Sequence, residues 1–218
     1  MGDVGQIQPV QANLRFPDSV SRAIEGVDAV VNAVGILAPS GAQTFKAVHV
    51  DGARAVAKAA KAAGVRRFVH VSAIGASASS RAYYAATKAA GEAAVLEEFP
   101  EAVILRPSIV FGPEDEFFNR FASLAQVSPV LPLIGGGRTR FQPIYVGDLA
   151  AAIAAVVNGA GTPGTIYELG GPEVLTFREL MERTLAYADR RSKLVSLPFW
   201  LAKLQALATW PLPNSLRP

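Results

Sequence analysis

Residues 67–107 read RFVHVSAIGASASSRAYYAATKAAGEAAVLEEFPEAVILRP, and this stretch decides the fold. An apolar run at 67–72 is followed by an alanine-rich stretch at 81–98 and by a second apolar run at 102–106. This order predicts two parallel strands joined by a helix. Similar runs predict further strands at residues 7–12, 29–34, 141–145 and 165–168. The alternation predicts an α/β fold in which helices cover both faces of a parallel sheet.

Several predicted helices carry start or stop signals. Asp18 is placed to cap the first, Gly64 ends the second, and Thr176 with Glu179 forms a capping box. Prolines and glycines between residues 113 and 137 predict loops around one short helix. The predicted helices cover residues 19–25, 44–63, 81–98, 116–126, 149–157, 177–188 and 199–210.

The composition excludes several classes of function. Half of the 218 residues are apolar and 18% are charged, so the chain can build a sizeable core. A net charge of only +3, with both signs interspersed, argues against a nucleic-acid partner. No cysteine and only two histidines argue against a metal site, and the absence of cysteine fits the cytoplasm. No apolar run is long enough to span a membrane.

Tyr84 and Lys88 are the strongest candidates for chemistry. Residues four apart on a helix share a face, so the phenol and the ammonium project together. A nearby ammonium favours phenolate, which would let the tyrosine act as an acid or base, and the lysine can hold a ribose hydroxyl. The alternative is a chance surface pair. Ligands in open α/β sheets bind beyond the carboxyl ends of the strands, where residues 32–35, Ser72 and residues 107–110 are also expected.

The order of these motifs resembles that of extended and atypical short-chain dehydrogenases. The matching stretches are Asn13-Leu14, residues 28–35, 48–52 and 68–72, Tyr84 to Lys88, Arg106-Pro107-Ser108 and residues 145–148. Residues 107–119, PSIVFGPEDEFFN, resemble the subfamily that contains the nucleotide-binding accessory subunit of respiratory complex I. The resemblance implies a Rossmann-type doubly wound sheet and an NAD or NADP cofactor.

The resemblance also implies a role for each matching residue. It places Asn13 and Leu14 beside the adenine, and Ala33, Val34 and Gly35 along the ribose and pyrophosphate. It makes Tyr84 and Lys88 the catalytic pair, which also binds the nicotinamide ribose, and brings Pro107, Ser108 and Ile109 to the nicotinamide.

One departure from the family is the missing first part of its fold. The first two strands and the Gly-x-x-Gly-x-x-Gly loop that grips the pyrophosphate have no counterpart in the sequence. The glycines at 135–137 follow a proline-rich loop and read as a flexible turn. We expect the reading frame upstream of Met1 to encode the missing strands. We also expect weakened or lost dinucleotide binding, an exposed apolar edge at 29–34 and poor solubility of the fragment.

A second departure is Ile74, which stands where the family carries a catalytic serine or threonine. Ser72, Ser77 and Ser79 are candidates to replace that hydroxyl, and Ser72 is the one assigned to catalysis. His70 is interpreted as a core residue, and His49 as a helix-packing residue near the site. The acids at 114–116 are interpreted as a solvated loop and helix start.

These observations predict an incomplete NAD(P)-binding Rossmann core at residues 1–112. Residues 113–218 are predicted to form mainly a small C-terminal lobe, with segments 141–170 returning to the core. The favoured hypothesis is a dinucleotide-binding protein with little or no turnover, associated with complex I subunits and peripheral at the inner membrane. The alternative is an active NAD(P)-dependent epimerase, dehydratase or reductase acting on a sugar nucleotide or related carbonyl compound. The apolar helix 199–210 is expected to pack on the domain or on a partner.

Overall fold

The computed structural model describes residues 7–198, and the predicted helix at 199–210 lies outside them. The chain divides into two compact units. Among the described residues, the first consists of 7–108 and 147–169, and the second of 109–146 and 170–198.

The helices are α1 (Pro17–Ile24), a π-helix (Lys46–Gly52), α2 (Ala53–Ala62), α3 (Tyr83–Glu98), α4 (Glu116–Val127), a 3₁₀ turn (Gly135–Gly137), α5 (Val146–Val157) and α6 (Phe177–Tyr187). The strands are β1 (Ala29–Asn32), β2 (Arg67–Val71), β3 (Val103–Pro107), β4 (Val110–Phe111), β5 (Val130–Ile134), β6 (Arg140–Phe141), β7 (Ile144–Tyr145), β8 (Ile166–Leu169), β9 (Leu175–Thr176) and β10 (Lys193–Leu197).

The first unit contains a parallel sheet in the order β1-β2-β3-β8. One core cluster, which includes Phe68, Val95 and Val56, packs α1, α2 and α3 on this sheet. A second cluster, which includes Val69 and Val156, packs α5 on it. Successive residues of a strand point to opposite faces, so Phe68 and Val69 belong to the two different clusters. The predicted α/β fold with a helix-covered parallel sheet is confirmed.

Two predicted strands are wrong. Residues 7–12 form no strand: Pro9 lacks a backbone donor, and Ile7 and Val10 are exposed. The predicted strand at 141–145 is instead two short strands, β6 and β7, which Gln142 and Pro143 separate.

The predicted helix at 44–63 begins as a π-helix and becomes α-helical only at Ala53. Asp18 is not a cap, because Pro17 occupies the first turn and the helix begins one residue before Asp18. The capping box of Thr176 and Glu179 is confirmed.

The second unit is built from α4, α6 and three two-stranded pairings. β5 pairs with β10 and β4 with β7 in parallel, whereas β6 pairs with β9 antiparallel. Leu133, Leu180 and Met181 are buried among phenylalanines of α4 and the start of α6. The strands β5 and β10 were not predicted, and at β5 the reason is that Pro129 and Pro132 favour a loop. β5 has a single strand neighbour among the described residues, which is where a proline is tolerated.

Within residues 7–198, no helix is both long enough and apolar enough to cross a membrane.

Candidate functional site

The candidate site of the first unit lies at the carboxyl edge of its parallel sheet. Residues 33–36 follow β1, residues 72–77 follow β2, and Ser108 follows β3. Parallel strands end at a common edge, so these segments meet there, as ligand-binding loops of open α/β sheets do.

The loop after β1 is held at two of its backbone amides. The buried Asn32 accepts a hydrogen bond from Val34 N at its Oδ1 (3.2 Å), and its Nδ2 donates to His70 Nδ1 (3.1 Å). Ile36 N donates to His49 Nε2 (3.2 Å). The segment that these two hydrogen bonds hold is exposed at Ala33, Val34 and Gly35. The loop therefore presents ordered backbone to a ligand.

Helix α3 carries Lys88 into the interior. Its side chain is only 4% exposed, and Nζ donates to the carbonyl oxygen of Val71 at 3.0 Å. One of the three ammonium protons is thus used by the end of β2. Burial lowers the pKa of Lys88, and the negative charge of Glu92 opposes that shift.

Tyr84 lies one turn before Lys88 and is half-buried. Its ring meets the rings of His49 and Phe45 edge-on, with centroids 5.4 and 5.9 Å apart. Burial raises the pKa of Tyr84 above its ordinary value. Burial thus acts in the opposite direction to the expected effect of the nearby ammonium, and a phenolate favoured by Lys88 stays a prediction.

Ser72 forms a hydrogen bond with a buried ion pair of Glu92 and Arg106. Its hydroxyl donates to Glu92 Oε1, and the Glu92 carboxylate accepts two further bonds from Arg106, Nε at 2.9 Å and Nη2 at 2.7 Å. A substrate would have to compete with a buried carboxylate for the Ser72 hydroxyl. Sequence reasoning missed Glu92 and gave Arg106 no role beyond its place in a matching stretch. The available signal was a charged residue four positions after Lys88 in an alanine-rich helix.

Ile74 takes the place where a catalytic hydroxyl is expected. Its side chain is 44% exposed, and its backbone N donates to Pro107 O at 3.0 Å. The hydroxyls of Ser77 and Ser79 lie 3.0 Å from one another. The loop after β2 therefore offers a hydrocarbon side chain at this position.

The residues assigned to the two ends of the dinucleotide are placed as follows. The Asn13 side chain is exposed and accepts from Arg15 N (3.0 Å), whereas Leu14 is half-buried against Gly52 of the π-helix. Ser108 is buried, and its N donates to Leu169 O (2.8 Å). Ile109 belongs to the second unit.

The donor set at this edge fits part of a nicotinamide dinucleotide. The Lys88 ammonium and the Tyr84 hydroxyl can hold ribose hydroxyls, and the exposed backbone at 33–35 can pass along the ribose. The sequence has no Gly-x-x-Gly-x-x-Gly loop to cradle a pyrophosphate. Within residues 7–198, no group of three or more His, Cys, Asp and Glu side chains could hold a metal ion.

Comparisons with known proteins agree with this geometry. The NAD(P)H-binding family model matches residues 2–115, slightly more than half of the chain, and the RmlD substrate binding domain model matches residues 76–206.

Two curated relatives and one solved structure represent the similarity. The chain is 39% identical, over 94% of its length and 52% of the relative's, to NADH dehydrogenase [ubiquinone] 1 alpha subcomplex subunit 9 of Arabidopsis thaliana mitochondria. It is 37% identical, over 88% of its length and 60% of the relative's, to the ceramide reductase of Caulobacter vibrioides. The dTDP-glucose 4,6-dehydratase of Streptomyces venezuelae, solved with NAD bound, superposes with a TM-score of 0.71 at 27% identity, over 86% of this chain and 66% of that one.

The chain thus spans about half the length of the plant relative. The family match, the parallel sheet and the motifs at its carboxyl edge lead to one conclusion. The chain belongs to the NAD(P)H-binding, epimerase- and dehydratase-like branch of the short-chain dehydrogenase/reductase superfamily.

Proposed function

We propose that the protein binds a nicotinamide dinucleotide with little or no turnover and serves as an accessory or assembly protein of NADH dehydrogenase. The observation that carries this proposal is the lack of an available hydroxyl at the start of the loop after β2. An exposed Ile74 stands in place of a hydroxyl, and the Ser72 hydroxyl donates to the buried Glu92. An oxyanion forming beside Tyr84 would lack a second donor, which typically costs a few kcal/mol of transition-state stabilisation.

Burial raises the pKa of Tyr84, which keeps its hydroxyl protonated and able to donate a hydrogen bond to a ribose hydroxyl. The Lys88 ammonium has the fixed position that a ribose contact needs, because Val71 O holds it. In this proposal, Lys88 and residues 33–35 bind the cofactor, and Pro107 and Ser108 meet its nicotinamide.

The proposal includes weak affinity for the chain of 218 residues. Pyrophosphate binding in this fold relies on glycine-rich backbone at a helix N-terminus, and the sequence lacks that motif. The relatives named as NADH dehydrogenase subunits support the choice of partner. A peripheral position at the inner membrane would follow from that partner.

The test compares three variants for NADH affinity by calorimetry. We expect Lys88→Met to weaken binding about 5- to 150-fold, as for a lost charged hydrogen bond. Tyr84→Phe should retain most of the affinity. Lys58→Met is the matched control, because Lys58 is an exposed lysine on α2, and it should bind like the wild type. Co-sedimentation with membranes that contain NADH dehydrogenase should survive Tyr84→Phe. Equal affinity in Lys88→Met and Lys58→Met would overturn the proposed site.

A reductase or dehydratase is the second candidate function. The observation that favours it is that Tyr84 and Lys88 lie one turn apart on α3, at the carboxyl edge of the sheet. The names of two similar proteins, a ceramide reductase and a dTDP-glucose dehydratase, suggest ceramide and dTDP-glucose as compounds to assay. Turnover of either compound that disappears in Tyr84→Phe while NADH binding persists would establish this function instead.

A further inference from the structure

His49 is a buried side chain whose ring uses both of its nitrogens. Nε2 accepts a hydrogen bond from Ile36 N at 3.2 Å, in the loop after β1. Nδ1 lies 3.1 Å from Thr87 Oγ1 on α3. The ring therefore bridges the loop that carries residues 33–35 and the helix that carries Tyr84 and Lys88.

The partners of His49 determine its tautomer. A backbone N–H can only donate, so Nε2 carries no proton and the neutral ring bears its proton on Nδ1. Nδ1 then donates to Thr87 Oγ1, whose own proton goes to the carbonyl oxygen of Tyr84 at 2.9 Å. Three consecutive hydrogen bonds therefore connect the Ile36 amide to the backbone carbonyl of Tyr84. The His49 ring also meets the Tyr84 ring edge-on at 5.4 Å.

The local backbone is shaped for this contact. His49 lies in the π-helix Lys46–Gly52, and a π-turn inside a helix often marks a functional position. Gly91 of α3 lies against the His49 backbone so closely that an added Cβ would be 2.0 Å from His49 O. A side chain at position 91 would push the π-helix, and the His49 ring with it, away from α3.

We infer that neutral His49 is a positioning residue that fixes residues 33–36 relative to Tyr84 and Lys88. This inference rests on the proposed dinucleotide binding, because it assigns His49 the task of holding the loop that meets the cofactor. His49 itself needs no contact with the ligand. The role depends on Nε2 of the ring, because this atom accepts the hydrogen bond from Ile36 N in the loop after β1.

The charged and titratable neighbours favour the neutral ring. Lys88 of α3 and His70 of β2 both interact electrostatically with His49, and Tyr84 of α3 touches its ring. On its own helix, Lys46 and Asp51 form an exposed ion pair. Burial and the Lys88 charge lower the pKa of His49, whereas the bond from Ile36 opposes that shift. Protonation would place a second donor opposite the Ile36 amide and break that bond.

Two substitutions each retain half of the ring's function. In His49→Gln the amide oxygen can take the place of Nε2 and accept from Ile36 N. In His49→Asn the amide nitrogen can take the place of Nδ1 and donate to Thr87. We expect the Ile36 amide to keep its hydrogen-exchange protection in His49→Gln and to lose at least tenfold of it in His49→Asn. Val95→Ala, a buried change elsewhere on α3, controls for a general loss of stability.

The second measurement is the NADH affinity of the same variants of the 218-residue chain. A lost neutral hydrogen bond predicts about 2- to 10-fold weaker binding in His49→Asn, with His49→Gln close to the wild type. Ile36 protection in the wild type should also fall on the acid side of pH 6.5, and it should not do so in His49→Gln. Equal protection in the Gln and Asn variants would overturn the inference. If no variant binds NADH but the protection pattern appears, the proposed function fails and the positioning role of His49 stands.

Discussion

At the scale of single residues, His70 couples the folded state to pH. It accepts a bond from Asn32, which in turn holds the amide of Val34. Burial, with smaller contributions from Lys88 and His49, lowers the pKa of His70 from 6.5 to about 3. In the unfolded chain, by contrast, a histidine binds a proton near pH 6.5. Between these values the unfolded state binds more protons, so the contribution to stability is complete above pH 6.5 and declines as the pH falls toward 3.

The corresponding prediction compares the wild type with His70→Asn. The asparagine oxygen can replace Nδ1 as the acceptor for Asn32, but it does not titrate. Between pH 7.5 and pH 5.0 we expect the wild type to lose about 2 kcal/mol more free energy of unfolding than the variant. Urea titrations at both pH values measure this difference. Both proteins retain His49, so its own titration cancels. Parallel pH profiles would show that His70 does not titrate as its burial requires.

At the scale of elements, the meeting of α3 and the π-helix depends on Gly91. Alanine normally stabilises a helix interior by about 1 kcal/mol relative to glycine. At position 91, however, the new Cβ would lie 2.0 Å from His49 O, and the two helices would have to separate. We therefore expect Gly91→Ala to lower the free energy of unfolding by about 1–3 kcal/mol, as other overpacked cores do. Chemical denaturation measures this change.

Ala90→Gly on the exposed face of α3 is the matched control, because it changes helix propensity alone. Its expected loss is about 1 kcal/mol. A Gly91→Ala variant more stable than the wild type would show that propensity, rather than the contact with His49, governs this position.

The elements that sequence reasoning found are those with local signals. The core strands β1, β2, β3 and β8 are short apolar runs, and α6 has a capping box. The missed strands β5 and β10 form hydrogen bonds with each other although about sixty residues separate them in the sequence. No local sequence pattern predicts such a long-range pairing. The π-helix packs against Gly91 of α3, a tertiary contact that the continuous helical pattern of residues 44–63 does not indicate.

The candidate site divides in the same way. The Tyr84–Lys88 spacing and the strand ends were visible in the sequence, because helix and sheet periodicity place them. The partners that set their chemistry were not visible. Glu92 engages the Ser72 hydroxyl, and His49 joins Ile36 to Thr87, through contacts between residues at least 13 positions apart.

At the scale of the whole molecule, the first unit has an open edge. Among residues 7–198, β1 pairs with β2 and with no other strand. Its Val31 side chain is 41% exposed. A free apolar strand edge is a template for pairing with another chain. The plant relative is nearly twice as long as this chain, so strands from a longer protein are one source of cover for that edge.

We therefore expect the chain of 218 residues to self-associate through β1, and a lysine on this strand to oppose that pairing. Val31→Lys should raise the monomer fraction measured by analytical ultracentrifugation. Val127→Lys is the matched control: it adds the same charge at an apolar residue that is 82% exposed, but at the end of α4 rather than on a strand. The two variants should differ because only the lysine at position 31 lies on a strand edge with unpaired backbone N–H and C=O groups. If both variants shift the monomer fraction equally, net charge governs solubility and the open edge of β1 does not; if neither shifts it, self-association occurs elsewhere.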